Sequence, residues 1–598
     1  MKLSDYVMRF LADAGVRHVF MLPGGGAMHL NDSLGACKDL EFVCTLHEQA
    51  ATIAAEAYAR VTNHLGAALV TTGPGGTNAI TGLVGAWLDS TPVVVLSGQV
   101  KRSDLIGTSG LRQLGVQEVD IVSIVRSVTK YAVTVMEPES IRYHLEKALY
   151  LARSGRSGPV WIDIPLDVQA AKIDETALRG FDPQSEPVAQ DSNVESYAAR
   201  TIELLNASER PILLAGNGVR MAKADREFLQ LVEQLDLPVL TSWLGIDLIP
   251  DLHERFVGRP GSIAPRGANF ALQNADLLIV LGCRMDMGLT GYDHARFARG
   301  AKKVIVDIDA AEIGKIKTTV DVPAGCDVGA FIRELLGRGG QVQRRNRSPW
   351  LERCREWKTK YPVVLPEHWA QKDSVSTYCL SDVVSDELTP DDLVVTGSSG
   401  NGVEIFLLAF RAKAGQRVFH ARGLGAMGFA QPAAIGACIG SGGRRTVSVD
   451  GDGGFQMNIQ ELETLARLQL PVKFFVVNNQ GYGSIRASQQ NWFGRLTAAD
   501  ATSGLTLPSL VKVAEAYGVR AMQIADNGEL REKVRAVLAT PGPVVCEVLA
   551  TPDEVRAPRL SSRQLADGSM ASMPLEDLWP FLDREEFRGN MIIPPLSE

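Results

Sequence analysis

The chain has 598 residues, with 61 Lys and Arg against 69 Asp and Glu, and a formal net charge of −8. Hydrophobic residues at 45% and charged residues at 22% describe an ordinary globular protein, and the lack of a basic tract excludes nucleic acid as an expected partner. At roughly 100–200 residues per domain, the length predicts three or four domains.

The eight cysteines, Cys37, Cys44, Cys283, Cys326, Cys354, Cys379, Cys438 and Cys546, form no C-x-x-C pair, and most lie in apolar surroundings. Reduced, buried thiols in a cytoplasmic protein are the expectation. The opening MKLSDYVMRFLADAG reads as an amphipathic helix and not as a signal peptide. The longest apolar runs are too short, or too broken by glycine, to span a bilayer, so no membrane association is expected.

Residues 1–175 alternate strand and helix patterns. HVFML (18–22), FVCTL (42–46), AALVTT (67–72), PVVVLSG (92–98) and PVWIDI (159–164) read as strands, separated by helical stretches such as QAATIAAEAYARV. The polar, proline-bearing stretch 172–193 reads as a linker. A second block spans about 190–340, with strands at PILLAG (211–216), LPVLTSW (237–243), DLLIVLG (276–282) and KVIVDID (303–309). A polar connection with some helix follows over 340–375. The third block, 376–555, carries LVVTG (393–397), RTVSVD (445–450), VKFFVVN (472–478) and VVCEVL (544–549), and a tail, 556–598, ends the chain. Strand–helix alternation predicts α/β architecture, here three doubly wound parallel-sheet domains.

One stretch carries chemistry: VSVDGDGGFQMNIQELETLARLQLPVKFFVVNNQGYGSI. A strand ends at Asp450, Gly451-Asp452-Gly453-Gly454 makes the turn, a helix runs from about Phe455 to Leu468, and a second strand ends at Asn478-Asn479. Asp452 and Asn479 therefore sit at the carboxyl ends of parallel strands, where ligands of open sheets bind. The glycines admit backbone N–H groups to a phosphate, and Asp and Asn oxygens suit Mg²⁺.

G-D-G, 24 residues, then N-N, with both ends after apolar strands, resembles the signature of thiamine-diphosphate enzymes. The resemblance implies that Asp452 and Asn479 hold Mg²⁺ by their side chains and Gly481 by its carbonyl, with Gly451, Gly453, Gly454 and Tyr482 beside the cofactor. Such chemistry needs a carboxylate against the aminopyrimidine. Glu48, in TLHEQAATIAAEAYAR, matches the family's catalytic glutamate. Pro74 and Asn78 in TTGPGGTN (71–78), Gly425 and Met427 in GLGAMGFAQPAA (423–434), and Gly400, Asn401 and Gly402 in GSSGNGVEI (397–405) match other cofactor-lining segments.

The middle block resembles the FAD-binding segments of the acetolactate synthase family. The matching residues are Arg156, Gly216, Gly218, Gly258, Gly261, Ser262, Gly282, Arg284, Asp307 and Asp309. The resemblance, spanning residues 1 to about 560, implies a pyrimidine-binding domain, a central FAD or nucleotide-type domain and a diphosphate-binding domain. It also implies a homodimer or homotetramer with active sites between subunits.

Three departures bear on the substrate. Where the family reads G-x-R-F-D-D-R-x-T-G, this chain has Gly282-Cys283-Arg284-Met285-Asp286-Met287-Gly288-Leu289-Thr290-Gly291, so the second Arg, beside the acceptor site in relatives, is Gly288. A Trp of the family is Ser488, and the loop 107–121 is longer than its counterpart. Loss of the Arg weakens the case for a second 2-keto acid as acceptor; Arg112 is a candidate replacement. Pro23-Gly24-Gly25-Gly26 without an adjacent acid, and the lack of a His-His pair, disfavour a simple pyruvate decarboxylase. GGGAMHLNDSLG (24–35) and RQLGVQEVDIV (112–122) resemble the flavoenzymes of yersiniose, a branched sugar, and place Gly25, Gly26, His29, Arg112, Gln113 and Gln117 as substrate candidates.

The expectation is thus a carboligase that decarboxylates pyruvate, a 2-keto acid donor, and transfers the two-carbon unit to a ketone or aldehyde such as a ketosugar. FAD would be structural. An acetolactate synthase joining two 2-keto acids, a flavin-dependent pyruvate oxidase and a non-catalytic paralogue are the rival readings.

Overall fold

The computed structural model describes residues 1–186, 193–397, 400–564, 568 and 570–596. Part of the expected 172–193 linker and Ser398-Ser399 of GSSGNGVEI lie outside the described residues.

Eighteen strands form three six-stranded parallel sheets. The first holds β1 (His18–Met21), β2 (Glu41–Cys44), β3 (Gly66–Val70), β4 (Val93–Gln99), β5 (Tyr131–Thr134) and β6 (Val160–Pro165). The middle one holds β7 (Pro211–Ala215), β8 (Val239–Thr241), β9 (Phe256–Gly258), β10 (Leu277–Leu281), β11 (Lys302–Val306) and β12 (Val322–Ala324). The third holds β13 (Leu393–Thr396), β14 (Arg417–Phe419), β15 (Thr446–Gly451), β16 (Val472–Asn478), β17 (Arg520–Ile524) and β18 (Val544–Leu549). Central strands such as VVVLSGQ and LLIVL are buried throughout, as strands covered by helices on both faces must be.

The first and third sheets share one strand order, β2-β1-β3-β4-β6-β5 and β14-β13-β15-β16-β18-β17. The middle sheet differs: β12-β11-β10-β7-β8-β9. Counted from β7, that is the 3-2-1-4-5-6 arrangement of dinucleotide-binding domains. The order reverses between β7 and β10 in the middle sheet, between β1 and β3 in the first, and between β13 and β15 in the third. The carboxyl-terminal crevice at each reversal is where an open α/β sheet takes its ligand.

Two corrections to the sequence reading concern local structure. The helix expected from about Phe455 begins earlier and is broken, running Asp452–Phe455, then a tight turn Gln456–Asn458, then Glu461–Leu468. At the break Asn458 is fully buried and gives its amide to the Gly428 carbonyl at 2.7 Å. Five strands of the three parallel sheets, β5, β9, β12, β14 and β17, also went unforeseen.

The first and third domains pack directly on each other. The alanine-rich helix Glu48–Thr62 crosses the helix Ala430–Gly440 so closely that a Cβ on Gly436 would fall 2.0 Å from the Ala54 carbonyl oxygen. Buried Arg60 pairs with Glu56 and Asp89 and donates to the His420 carbonyl at 3.0 Å, tying the same two domains. The tail returns over the middle domain, where Leu575 and Phe587 join its core and Asn269 donates to the Leu575 carbonyl.

Candidate active site

In the third sheet, a Cβ on Gly397, after β13, would fall 2.0 Å from Asp450 Oδ1, at the end of β15, so the two strand ends close on each other only because one is glycine. Asp452 is 3% exposed and accepts from the Gly453 and Gly481 N–H groups at 2.8 and 2.9 Å. The second bond joins the β15 turn to the β16 turn. Burial pushes the Asp452 carboxyl up to about 6, and that of neighbouring Asp450 up to about 7, with Asp450 Oδ2 left without a partner among the described residues.

Asn479 is buried beside this pair, and Gly481 adopts φ +131°, where a side chain would also strike the Ala499 carbonyl. Its carbonyl accepts from Gly483 N–H at 3.1 Å, which leaves one lone pair free. The Tyr482 ring lies over Gly453, where a Cβ would come within 2.3 Å. The turn thus gathers one charged oxygen ligand, one amide and one carbonyl, a hard-donor set for Mg²⁺ that leaves sites for phosphate oxygens. Gly451 has nothing within 4 Å of a Cβ position, so the turn is open there.

Across the crevice Gly400, at φ +125°, caps the helix Asn401–Ala409; Asn401 is fixed to the Glu554 carbonyl, and Gly402 packs on Val477 of β16. Gly425 has φ +68°, and Met427 on the same loop is half-buried.

Glu48 opens the helix Glu48–Thr62 after β2, capped by the His47 ring, which accepts from Gln49 N–H. It is 6% exposed. Asn78 donates to its Oε2 at 3.0 Å, and Oε1 carries no hydrogen bond among the described residues. Pro74 starts the helix Pro74–Leu88, and Gly73 before it has φ +61° with the Gln117 carbonyl 2.3 Å from its Cβ position. The structure therefore brings Glu48, Pro74, Asn78 and the backbone of Gln117 together. Gly26, whose carbonyl accepts from Gln169, lies at the β1–β3 crevice against Thr72; Gly25 is open, and His29 is half-buried on the helix Met28–Ala36. Arg112 and Gln113 are exposed, and Gln113 is held by the Glu118 carbonyl.

At the middle sheet's reversal lies a cavity of about 670 Å³, well inside the roughly 300–1,000 Å³ usual for cofactor sites. Arg156, Gly218, Gly261, Ser262, Gly282, Arg284 and Asp307 line it. Gly218 and Gly282 face each other, a Cβ on either falling within 3 Å of the other's backbone. Gly216, Gly258 and Asp309 stand behind the wall. Gly216 lets the β7 end pass the Gly282 carbonyl, which a Cβ would approach to 2.4 Å, and Gly258, at φ +150°, ends β9. Asp309 caps the helix Ala310–Gly314 and pairs with Arg156 at 2.9 Å, which Glu312 also binds at 2.7 Å. Arg284 donates to the Leu88 carbonyl of the first domain. Burial raises the Asp307 carboxyl to about 6. Glycine-lined backbone with acids after a strand fits a dinucleotide's pyrophosphate and ribose.

Arg422, and not the candidate Arg112, fills the space at Gly288, its Nη2 lying 2.7 Å from a Cβ position on that glycine. Arg112 does not line this cavity, whereas Arg422, Trp243 and Asp286 do. Sequence reasoning missed Arg422, although an arginine directly before the GLGAMG segment was a visible signal.

Among the described residues no helix is long and apolar enough to cross a membrane, and all eight cysteines are free, six of them buried.

Three family models match the chain: the N-terminal TPP-binding domain of thiamine pyrophosphate enzymes over residues 1–124, the central domain over 198–335, and the C-terminal TPP-binding domain over 399–548. The chain is 33% identical over 564 residues to a probable acetolactate synthase large subunit of Methanocaldococcus jannaschii, covering 93% of each chain. It is 32% identical over 552 residues to the acetolactate synthase large subunit of Cyanidium caldarium, covering 90% of this chain and 91% of the relative. It is 33% identical over 582 residues to the chloroplastic acetolactate synthase 2 of Nicotiana tabacum, covering 94% and 84%. With its three sheets, its GDG–NN crevice and these matches, the chain belongs to the acetolactate synthase-like family of thiamine-diphosphate-dependent enzymes that form carbon–carbon bonds.

Proposed function

We propose that the protein decarboxylates pyruvate and transfers the two-carbon unit to a carbonyl acceptor, with Mg²⁺ at Asp452, Asn479 and the Gly481 carbonyl and FAD in the central cavity as a structural group. The observation that carries the reading is Glu48, a buried carboxylate anchored through one oxygen by Asn78, with its other oxygen free of hydrogen bonds among the described residues. Thiamine diphosphate supplies the nucleophilic carbon and the electron sink; the protein supplies position and proton control.

Glu48 holds or gives a proton at the aminopyrimidine nitrogen. Met427 would support the thiamine cofactor from below, and the Gly400–Gly402 helix start would hold its diphosphate. Arg156, Gly218, Gly261, Ser262, Gly282 and Asp307 would hold FAD, with Gly216, Gly258 and Asp309 shaping the wall from behind. Gly25, Gly26, His29, Gln113 and Gln117 would line the approach of substrate to Glu48. A second copy of the chain completes the site, a reading supported by Met457, Trp492 and Phe493, which are 48%, 57% and 72% exposed.

A ketosugar stays the favoured acceptor on the resemblance of 24–35 and 112–122. Condensation of two 2-keto acids is the second reading. It is favoured by the names of the relatives and by Arg422, which keeps a cation beside Gly288. The deciding experiment supplies labelled pyruvate, thiamine diphosphate and Mg²⁺ with each acceptor and identifies products by mass spectrometry. CO₂ release with a labelled two-carbon unit in the product is expected; no CO₂ release from any 2-keto acid would overturn the reading.

A further inference from the structure

We propose that Arg422 is the specificity-determining cation of the acceptor site, receiving a carboxylate or phosphate of the acceptor. The proposal rests on the carboligase reading above and names the chemistry its acceptor must carry.

Arg422 reaches the middle domain's cavity from the loop that follows β14, five residues ahead of Met427. It therefore stands where the cavity meets the thiamine segment. Its guanidinium carbon lies 5.2 Å from the centroid of the Trp243 ring, a flat platform that fixes the plane of the group. Its acidic partner is Asp286, reached by Nη2 at 3.3 Å and by Nε at 3.5 Å. Both contacts are long for a charged pair, which ordinarily closes to roughly 2.7–2.9 Å. By contrast Arg156, in the same lining, is clamped by Glu312 and Asp309 at 2.7 and 2.9 Å.

Asp286 has the character of an anchor. Burial, the largest single influence, pushes its carboxyl up, but the Arg422 charge and hydrogen bond, the Leu289 N–H and the Arg284 charge together hold it below the ordinary value, so it stays ionised. It orients the guanidinium without saturating it, since a guanidinium has five N–H donors. The neighbouring His420 adds no second charge, because burial drives its pKa down to about 3. The glycine at 288 is what admits Arg422, since any side chain there would begin within 2.7 Å of its Nη2. An arginine entering from residue 422 instead of 288 keeps the charge at this wall but brings it in from a different domain.

The test uses the purified holoenzyme and its Arg422→Gln, Arg422→Lys and Gly288→Arg/Arg422→Gly variants. Each is assayed with pyruvate as donor and three acceptors: a 2-keto acid, a phosphorylated ketose and a neutral cyclic ketone. The expected result is that Arg422→Gln lowers the ratio of kcat/KM for anionic over neutral acceptor about 10²-fold, mainly through acceptor KM, as loss of one member of a buried charge pair does. Arg422→Lys recovers part of the ratio, and the double variant recovers more, because it returns a guanidinium to the same wall. Which anionic acceptor shows the effect identifies carboxylate or phosphate as the source. Equal losses toward neutral and anionic acceptors overturn the proposal, as does loss of flavin absorbance in Arg422→Gln, which would make Arg422 a flavin ligand. A wild-type enzyme that releases CO₂ from no 2-keto acid overturns the carboligase reading itself, a failure separate from the other two.

Discussion

The third sheet and the middle sheet use glycine at their crevices in opposite ways. Around β15 and β16 the glycines are spacers for side chains: Gly397 and Gly454 make room for Asp450, Gly453 for Tyr482, and the Gly481 N–H reaches Asp452. In the middle sheet glycine faces glycine, Gly218 against Gly282, while charges such as Arg156, Asp309 and Glu312 largely pair with one another at the rim. The first crevice is specified by a few oxygen atoms and the second by shape. A site of the first kind is broken by deleting one side chain, and a site of the second kind by adding one.

Asp452 is the sharpest place to test the first half of that contrast. Asp452→Ala removes the charged oxygen ligand and the acceptor of the Gly481 N–H together. Thiamine diphosphate affinity in the presence of Mg²⁺, followed by fluorescence titration, should fall by at least about 10²-fold, the upper scale for losing groups that organise a metal site. Unchanged affinity and unchanged Mg²⁺ dependence would show that the oxygens at this turn do not specify the ligand. Glu48→Gln should separate binding from turnover. Cofactor affinity stays, because Asn78 can still hold the amide, while steady-state turnover drops about 10²-fold through lost proton assistance. Near-wild-type turnover would remove Glu48 from the chemistry.

For the middle sheet, Gly218→Val places a side chain 2.8 Å from the Gly282 backbone. The overpacking should cost about 1–3 kcal/mol in chemical denaturation and abolish flavin absorbance. Gly25→Ala, with nothing within 4 Å of the added Cβ, should stay within about 0.5 kcal/mol of the parent. Equal effects at the two positions would mean that close backbone approach does not define the middle crevice.

The same contrast explains what the sequence made readable. Strands buried on both faces, such as VKFFVVN and LLIVL, announce themselves as unbroken apolar runs. The five strands missed in the parallel sheets, β5, β9, β12, β14 and β17, all lie at sheet edges. Three are only three residues long, and the four residues of β5 are half-buried throughout, so no run marks them. The turn at 450–454 was legible because its chemistry is local, a G-D-G turn and an N-N strand end with 24 residues between them. Arg422 was not, because its partners Trp243, Asp286 and Gly288 come from another domain and only folding brings them together. The broken helix after Asp452 likewise depends on Asn458 meeting Gly428, a contact no periodicity reveals.

Apart from the neutral Gly25→Ala comparison, the smallest expected effect concerns Asp307, which asks whether the shape-specified crevice has any charge logic of its own. Its carboxyl is raised by burial from 3.8 to about 6, so without ligand the folded protein favours the protonated form and the unfolded chain the ionised one. Between pH 4 and 6 the folded state then binds more protons than the unfolded state, and stability falls as pH rises through that window. A shift of this size, with Asp307 only partly exposed, corresponds to about 1–2 kcal/mol. Denaturation midpoints of flavin-free protein should therefore decline from pH 4 to pH 6 relative to Asp307→Asn, in which that component is absent. Flavin should act in the opposite sense. If Asp307 accepts hydrogen bonds from ribose hydroxyls it must be ionised, so FAD affinity should rise over the same window and level off above it. Parallel pH profiles for the parent and Asp307→Asn, in both stability and flavin affinity, would mean that the acid after β11 plays no part in holding the ligand, and that this crevice selects its occupant by backbone shape alone.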